Sequence, residues 1–251
     1  MEPEVYSFLG INIHALTMDD LFYLIEEAIT RNEQYIIAHH NLHSLYIFHH
    51  NAEMREFYAR AKFIYIDGMP IVFLGRLWGH PLERRNRFTS VDWVRPLMQQ
   101  AARQGWRVFF LGSEPGVAAR GAEILKNEIQ GLQLETQHGY FDASPENEEN
   151  HQVLQRIESY QPRILMVGMG MPRQECWILN NLPELHANVV IAVGATMDYM
   201  SGAAPTPPRW MGQLGLEWLY RLVSEPRRLW RRYLVEPFFV LNLLARSKIN
   251  K

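Results

Sequence analysis

Two acidic residues stand where a carboxylate could move a proton. Asp67 opens the run Asp67-Gly68-Met69-Pro70 directly after the apolar stretch Phe63–Ile66. The glycine permits a tight turn and the proline suits the first turn of a helix, so Asp67 is expected at a strand end beside an electropositive helix start. The alternative is that Asp67 merely caps that helix. Asp198, in Gly194-Ala195-Thr196-Met197-Asp198 after the run Val189–Val193, gives a second carboxylate at the same kind of edge. Two glycine-bearing turns, Gly112-Ser113-Glu114-Pro115-Gly116 and Gly168-Met169-Gly170-Met171-Pro172-Arg173-Gln174-Glu175, are of the type whose backbone N–H groups hold phosphate. The second opens like a dinucleotide fingerprint but carries Arg173 at the third glycine position, and simple tight turns explain both equally well.

The Asp-x-Asp pattern that holds a divalent cation on a diphosphate is absent, which leaves helix starts and arginines to neutralise such a group. His39, His40, His43, His49 and His50 crowd one stretch without a Cys or carboxylate at ligand spacing, so they read as cleft or surface histidines and no metal or cofactor is expected. Cys176 lacks the context of a nucleophile and reads as a small residue on a helix face.

The end of the chain carries a different chemistry. From Arg209 onward nine basic residues face three acidic ones, although the whole chain has 25 basic and 27 acidic residues, so a segment of +6 follows a body of −8. Such a segment calls for an anionic partner. Leu216, Leu219, Leu222, Pro226, Leu229, Trp230, Tyr233, Pro237 and Leu241 fall near helical spacing, with Arg221, Arg228, Arg231 and Arg232 toward the other side and Trp210, Trp218 and Trp230 nearby. That is the pattern of a helix lying on an anionic membrane; a terminal helix packed on the body is the other reading.

Residues at these positions need a scaffold, and the pattern supplies one. Strands are expected at Val5–Phe8 with Ile11–Ile13, Tyr35–Ala38, Phe63–Ile66, Val108–Leu111, Leu132–Thr136, Ile164–Val167 and Val189–Val193. Helices opened by Thr17, Asn51, Ser90, Glu114-Pro115 and Ser144-Pro145 alternate with them. The alternation predicts an α/β, doubly wound, Rossmann-like parallel sheet over residues 1–204, with a basic amphipathic tail over 205–251 set off by Pro207-Pro208. Such sheets bind ligands beyond the carboxyl ends of their strands. Hydrophobic residues at 47% and charged residues at 21% exclude a disordered chain, and the single cysteine excludes an internal disulfide. No apolar run reaches the roughly 20 residues of a membrane span. Without a signal segment the chain is expected in the cytoplasm.

Taken together, Asn41, Asp67-Gly68-Met69-Pro70, Arg87-Phe88-Thr89-Ser90-Val91-Asp92, the turn from Gly168 to Glu175, Val193-Gly194-Ala195 with Asp198 and Ser201-Gly202, and Gly215-Leu216-Glu217-Trp218-Leu219-Tyr220-Arg221-Leu222 with Glu225-Pro226-Arg227-Arg228 resemble the WecG/TagA/CpsF family of bacterial glycosyltransferases, in order and over nearly the whole chain. The resemblance implies a metal-independent, inverting transfer from a UDP-sugar donor to a polyprenyl-diphosphate-linked sugar acceptor. It places the protein peripherally on the inner face of the plasma membrane, in the synthesis of teichoic acid, common antigen, capsule or exopolysaccharide. It implies Asp67 as general base, Gln174 in the substrate pocket, and Arg221, Arg228 and Arg231 at the lipid diphosphate.

By the same resemblance His39, Asn41, Arg87, Thr89, Asp92, Gly168, Gly170, Glu175 and Asp198 are candidate substrate contacts, and Arg232, Trp218 and Trp230 candidate membrane or lipid contacts. His39 stands where the family commonly has Thr, Ser90 where it often has Gly, and Cys176 where it usually has Lys. No nucleic-acid partner is implied, and a homo-oligomer stays open. Two rival readings remain at this level: a nicotinamide-dependent oxidoreductase using Gly168–Arg173, and a non-catalytic membrane adaptor.

Overall fold

The computed structural model describes residues 3–206, 211 and 217–249, the side chains of 217, 228, 248 and 249 apart. Pro207, Pro208, Trp210, Gly215, Leu216 and the Arg228 side chain therefore lie outside the described part. A hairpin of β1 (Val5–Phe8) and β2 (Ile11–His14) precedes a six-stranded parallel sheet. The sheet comprises β3 (Tyr35–His40), β4 (Phe63–Ile66), β5 (Val108–Gly112), β6 (Leu134–Gln137), β7 (Ile164–Gly168) and β8 (Val189–Ala192), in the spatial order β4-β3-β8-β7-β5-β6. The expected doubly wound α/β fold is the one observed.

Strand periodicity sorts the side chains into two layers. Tyr35, Ile37, Val108, Phe110, Ile164, Met166, Val189 and Ile191 join one core with α1 (Met18–Arg31), α5 (Ser90–Gln104), α6 (Val117–Glu128) and α9 (Thr196–Met200). Their alternates Ile36, Ala38, Phe109, Leu111, Leu165, Val167, Val190 and Ala192 join the other, against α3 (Ala52–Arg60), α7 (Glu148–Tyr160) and α8 (Arg173–Asn181). Continuous apolar runs were therefore the correct signature of strands buried on both faces. A third cluster packs the hairpin on α2 (Leu42–His50) and α4 (Met69–Leu77), and Val240 of the tail enters it.

Several boundaries differ from the sequence expectation. β3 runs two residues further, because His39 and His40 continue the ladder opposite Tyr65 and Ile66. The strand expected over Leu132–Thr136 starts at Leu134, where pairing with Val108 begins. Thr89, not Ser90, caps α5, and Asn147, not Ser144, caps α7. Helix α2, not foreseen, carries much of the histidine cluster: Asn41 caps it through the Ser44 N–H.

The described tail is α10 (Glu217–Ser224), α11 (Pro226–Trp230), a π-helical turn over Arg231–Val235, and α12 (Glu236–Ile249). In the π turn the Glu236 N–H reaches back five residues to the Arg231 carbonyl, and the next residue, Pro237, has no N–H to give the Tyr233 carbonyl.

Candidate active site

Strand ends set the first half of the site. The Asp67 N–H continues the ladder to the His40 carbonyl at 2.9 Å, and the cap position of α4 falls to Gly68 without a side-chain bond. Asp67 is thus not a helix cap. Its carboxylate keeps 22% exposure, and Oδ2 accepts from Asn41 Nδ2 at 3.1 Å. Because Asn41 Oδ1 is engaged with the Ser44 N–H, the amide orientation is fixed and Nδ2 must face Asp67.

His39 Nε2 lies 3.7 Å from the same oxygen. Burial pushes the His39 pKa down, with Asp67 opposing, so the ring is mainly neutral at pH 7. His40 is pushed down to about 3 by burial and then by His39 and His49; it stacks on Tyr58 and meets Ser44 Oγ at 2.9 Å. The other histidines have separate duties: His49 contacts the Leu9 carbonyl and His50 the Tyr46 carbonyl. Among the described residues no three His, Cys, Asp or Glu side chains converge as metal ligands.

Gln174 organises the second wall. It is fully buried, and its Oε1 accepts from both the Gly170 and Gly194 N–H groups at 3.2 Å, tying the turn after β7 to the turn after β8. The Ser113 N–H is likewise used by the Gly168 carbonyl. These turns spend key N–H groups inside the fold, which weakens the expectation that they cradle phosphate. Gly168 serves packing: a Cβ there would lie 2.4 Å from the Gly194 carbonyl oxygen and 2.7 Å from the Phe110 ring.

The tail closes the crevice. His43 Nδ1 lies 2.8 Å from Glu236, Tyr46 and His50 pack on Phe239, and Leu229 and Val240 are buried. Two cavities result. One, of about 290 Å³, lies between Leu42, Met69, Pro70 and Arg87 of the body and Trp218 and Pro237 of the tail. The other, of about 320 Å³, lies among His39, Ser90, Gly170, Gln174, Gly194 and Arg231. Asn41, His43, Asp67, Thr89, Arg221, Arg232 and Tyr233 border both. Burial, and Arg221 beside it, lower the Arg232 pKa, while Tyr233, Asp67 and Glu236 oppose that shift; Arg221 also lies over the Tyr199 ring. A carboxylate able to take a proton therefore sits between two chambers, with guanidinium groups that suit phosphate oxygens on the same boundary.

This chain matches the model of the glycosyl transferase WecG/TagA/CpsF family over residues 6–251. The chain belongs to that family. Membership makes a sugar donor and a sugar acceptor its substrates, and it removes the reasons for the oxidoreductase and adaptor readings.

The two cavities gather most, not all, of the residues singled out in the sequence. His39, Asn41, Asp67, Arg87, Thr89, Gly170, Gln174, Trp218, Arg221, Arg231 and Arg232 line the cavities. Asp92 does not: its Oδ2 accepts from the Thr89 N–H and hydroxyl, completing a helix cap. Asp198 accepts from Ser113 Oγ at 2.9 Å and borders neither chamber. Gly168 is buried packing, Glu175 lies behind Gln174, and Trp230 stands on the outer surface. Tyr233, placed in the apolar stripe by its spacing, is a cavity wall, and His43, Tyr199 and Glu236 were missed. A His43–Glu236 contact across 193 residues has no local signal.

The tail also differs from a simple membrane-lying helix. Arg221 and Arg232 turn toward the crevice, whereas Val223, Phe238 and Leu241 are exposed at 74%, 70% and 58%. The body offers the arginines a carboxylate and an aromatic ring, so the polar side folds inward. Among the described residues no helix is long and apolar enough to cross a membrane.

Proposed function

We propose that this glycosyltransferase moves a sugar from a UDP-sugar onto a polyprenyl-diphosphate-linked sugar in one inverting displacement, with Asp67 as general base, during synthesis of a bacterial cell-surface polysaccharide. One observation carries the reading: Asp67 is the carboxylate on the boundary of two cavities that also share Arg221 and Arg232. A single displacement needs the acceptor hydroxyl in line with the donor's anomeric carbon and a proton acceptor within hydrogen-bond reach of that hydroxyl, and a carboxylate bordering both cavities suits that place.

The polar chamber beside Gly170, Gln174 and Gly194, at the strand ends, suits the donor. The chamber beside Leu42, Met69, Pro70, Trp218 and Pro237 suits an acceptor attached to a lipid. Asn41 holds Asp67 Oδ2 and leaves Oδ1 for the acceptor hydroxyl. As that oxygen attacks the anomeric carbon, its proton passes to Asp67, the bond to UDP breaks, and charge grows on the departing diphosphate. Arg221, Arg231 and Arg232 supply the neutralising charge that the missing Asp-x-Asp would otherwise recruit through a cation. The exposed apolar residues of the tail, with its basic excess, suit an anionic membrane surface, each Lys or Arg near such a surface adding about 1 kcal/mol.

The Asp67→Asn variant preserves shape and removes the base. Turnover with a UDP-sugar and a short-chain polyprenyl-diphosphate acceptor should fall by about 10²-fold or more, while UDP binding by calorimetry stays within a few-fold of wild type. Wild-type turnover in that variant would overturn the assignment.

A further inference from the structure

Glu175 is 1% exposed, borders neither cavity and takes no part in the displacement. A carboxyl group in such a place carries a desolvation cost and needs a reason. No cation pairs with it among the described residues, and its Oε2 has no hydrogen-bond partner there. Among the described residues its side-chain partner is Gln174, whose Nε2 donates to Glu175 Oε1 at 2.7 Å.

That bond completes a chain of forced choices. The Gly170 and Gly194 N–H groups both point at one end of the Gln174 amide, and two donors can be met only by its oxygen. The NH₂ end must therefore face the opposite way, into a region closed to solvent, where Glu175 Oε1 is its acceptor. Remove that acceptor and the NH₂ end is left buried without a partner, a cost that is relieved only when the Gln174 side chain shifts or water enters, and either loosens its hold on both turns. Gly170 and Gly194, at φ of +81° and +57°, have open space where a side chain would stand, so no side chain of their own fixes the two turns.

The geometry points to Glu175 as a positioning residue: as the buried acceptor for the Gln174 amide, it lets one carbonyl oxygen clasp the turns after β7 and β8, and so sets the width of the donor chamber. The last clause rests on the reading of that chamber as the UDP-sugar site.

Hydrogen exchange of the full-length protein tests the clasp without any substrate. In wild type the Gly170 and Gly194 amides should exchange at least about tenfold more slowly than exposed amides of neighbouring loops. In Glu175→Met, similar in size but without the oxygen, both should lose about tenfold in protection while β7 amides keep theirs, and UDP should bind about tenfold more weakly. Glu175→Gln, which keeps an oxygen, should restore both properties. Fast exchange of the two glycines in wild type overturns the clasp even if the Met variant does not fold. So does a Met variant with wild-type protection, or a Gln variant that behaves like Met. If the exchange pattern holds but wild type binds no UDP, the clasp stands and the donor assignment fails.

Discussion

The two halves of the site are held by different forces. On the body side Asn41, Asp67, Gly170 and Gly194 follow strands whose positions are set by ladders, and their immediate partners are backbone groups or side chains locked by backbone. On the tail side Arg221, Arg232 and Tyr233 reach the same space from helices fastened by side chains: the His43–Glu236 pair, aromatic contacts of Phe239, and buried Leu229 and Val240. A ladder fixes position to a fraction of an ångström and fails only with the fold. A side-chain latch can open while the rest stands. The carboxylate proposed as the base is on the fixed half, and the guanidinium groups proposed to meet the phosphates are on the half held by side chains.

Substitutions on each half should therefore act differently. The largest effect is expected when the charges are removed: Arg221→Gln with Arg232→Gln should lower kcat/KM on a water-soluble acceptor by about 10²-fold or more, because in the proposed displacement both guanidinium groups, which border both cavities, would face developing negative charge. The melting temperature should barely change. An unaltered rate would make the tail an anchor alone.

Opening the latch should cost less. His43→Leu and Glu236→Leu should each reduce that rate about tenfold, and the double variant should be little worse than either. The coupling between them should be on the order of 1–2 kcal/mol, measured by a double-mutant cycle on kcat/KM. Additive losses would show that the two residues do not act as one contact.

A further substitution separates anchoring from catalysis. Phe238→Ser with Leu241→Ser should weaken binding to anionic vesicles by about 30-fold or more, each lost side chain removing roughly 1–2 kcal/mol of burial, and leave the soluble-acceptor rate within about twofold. Equal loss of both properties would mean that these residues serve the site rather than a surface.

The smallest effect is expected at a buried residue behind the fixed half. Burial raises the Glu175 pKa from 4.5 to about 7, so the fold favours the protonated acid; Tyr58 and Cys176 are titratable neighbours. That contribution to stability is complete below about 4.5 and is lost as pH rises through about 7. Glu175→Gln, permanently uncharged, should therefore match wild type in melting temperature near pH 4.5 and exceed it by a few degrees near pH 8. A gap that is constant with pH would remove the buried acid as its cause.

How far the sequence could be read followed the range of the forces. Strands buried on both faces announce themselves as runs such as Val108–Leu111 and Ile164–Val167, and Asp67 was visible because glycine and proline mark the turn it begins. β3 was cut short at Ala38 because two histidines look like a strand's end; their rings are buried beside Tyr58 and Tyr65, which lie about twenty residues away. Glu175 entered as a candidate substrate contact through the family resemblance of its turn, and only the fold shows the Gln174 amide that stands between it and the cavities. The tail's periodicity is equally that of a helix on lipid or on protein. What decides is where Asp67, Tyr199 and His43 stand, and local spacing does not encode that.

The π turn at Arg231–Val235 amounts to one residue inserted into an otherwise α-helical course. Each residue of an α-helix advances the azimuth by about 100°. Deleting one residue there would restore an even winding but swing α12 by roughly that angle, carrying Val240 off its cluster and Glu236 away from His43, or else turn Arg221 out of the crevice. The segment that docks and the segment that delivers charge therefore run in two different phases. A deletion between residues 231 and 235 should be far less tolerated than one among the exposed residues near the end of α12.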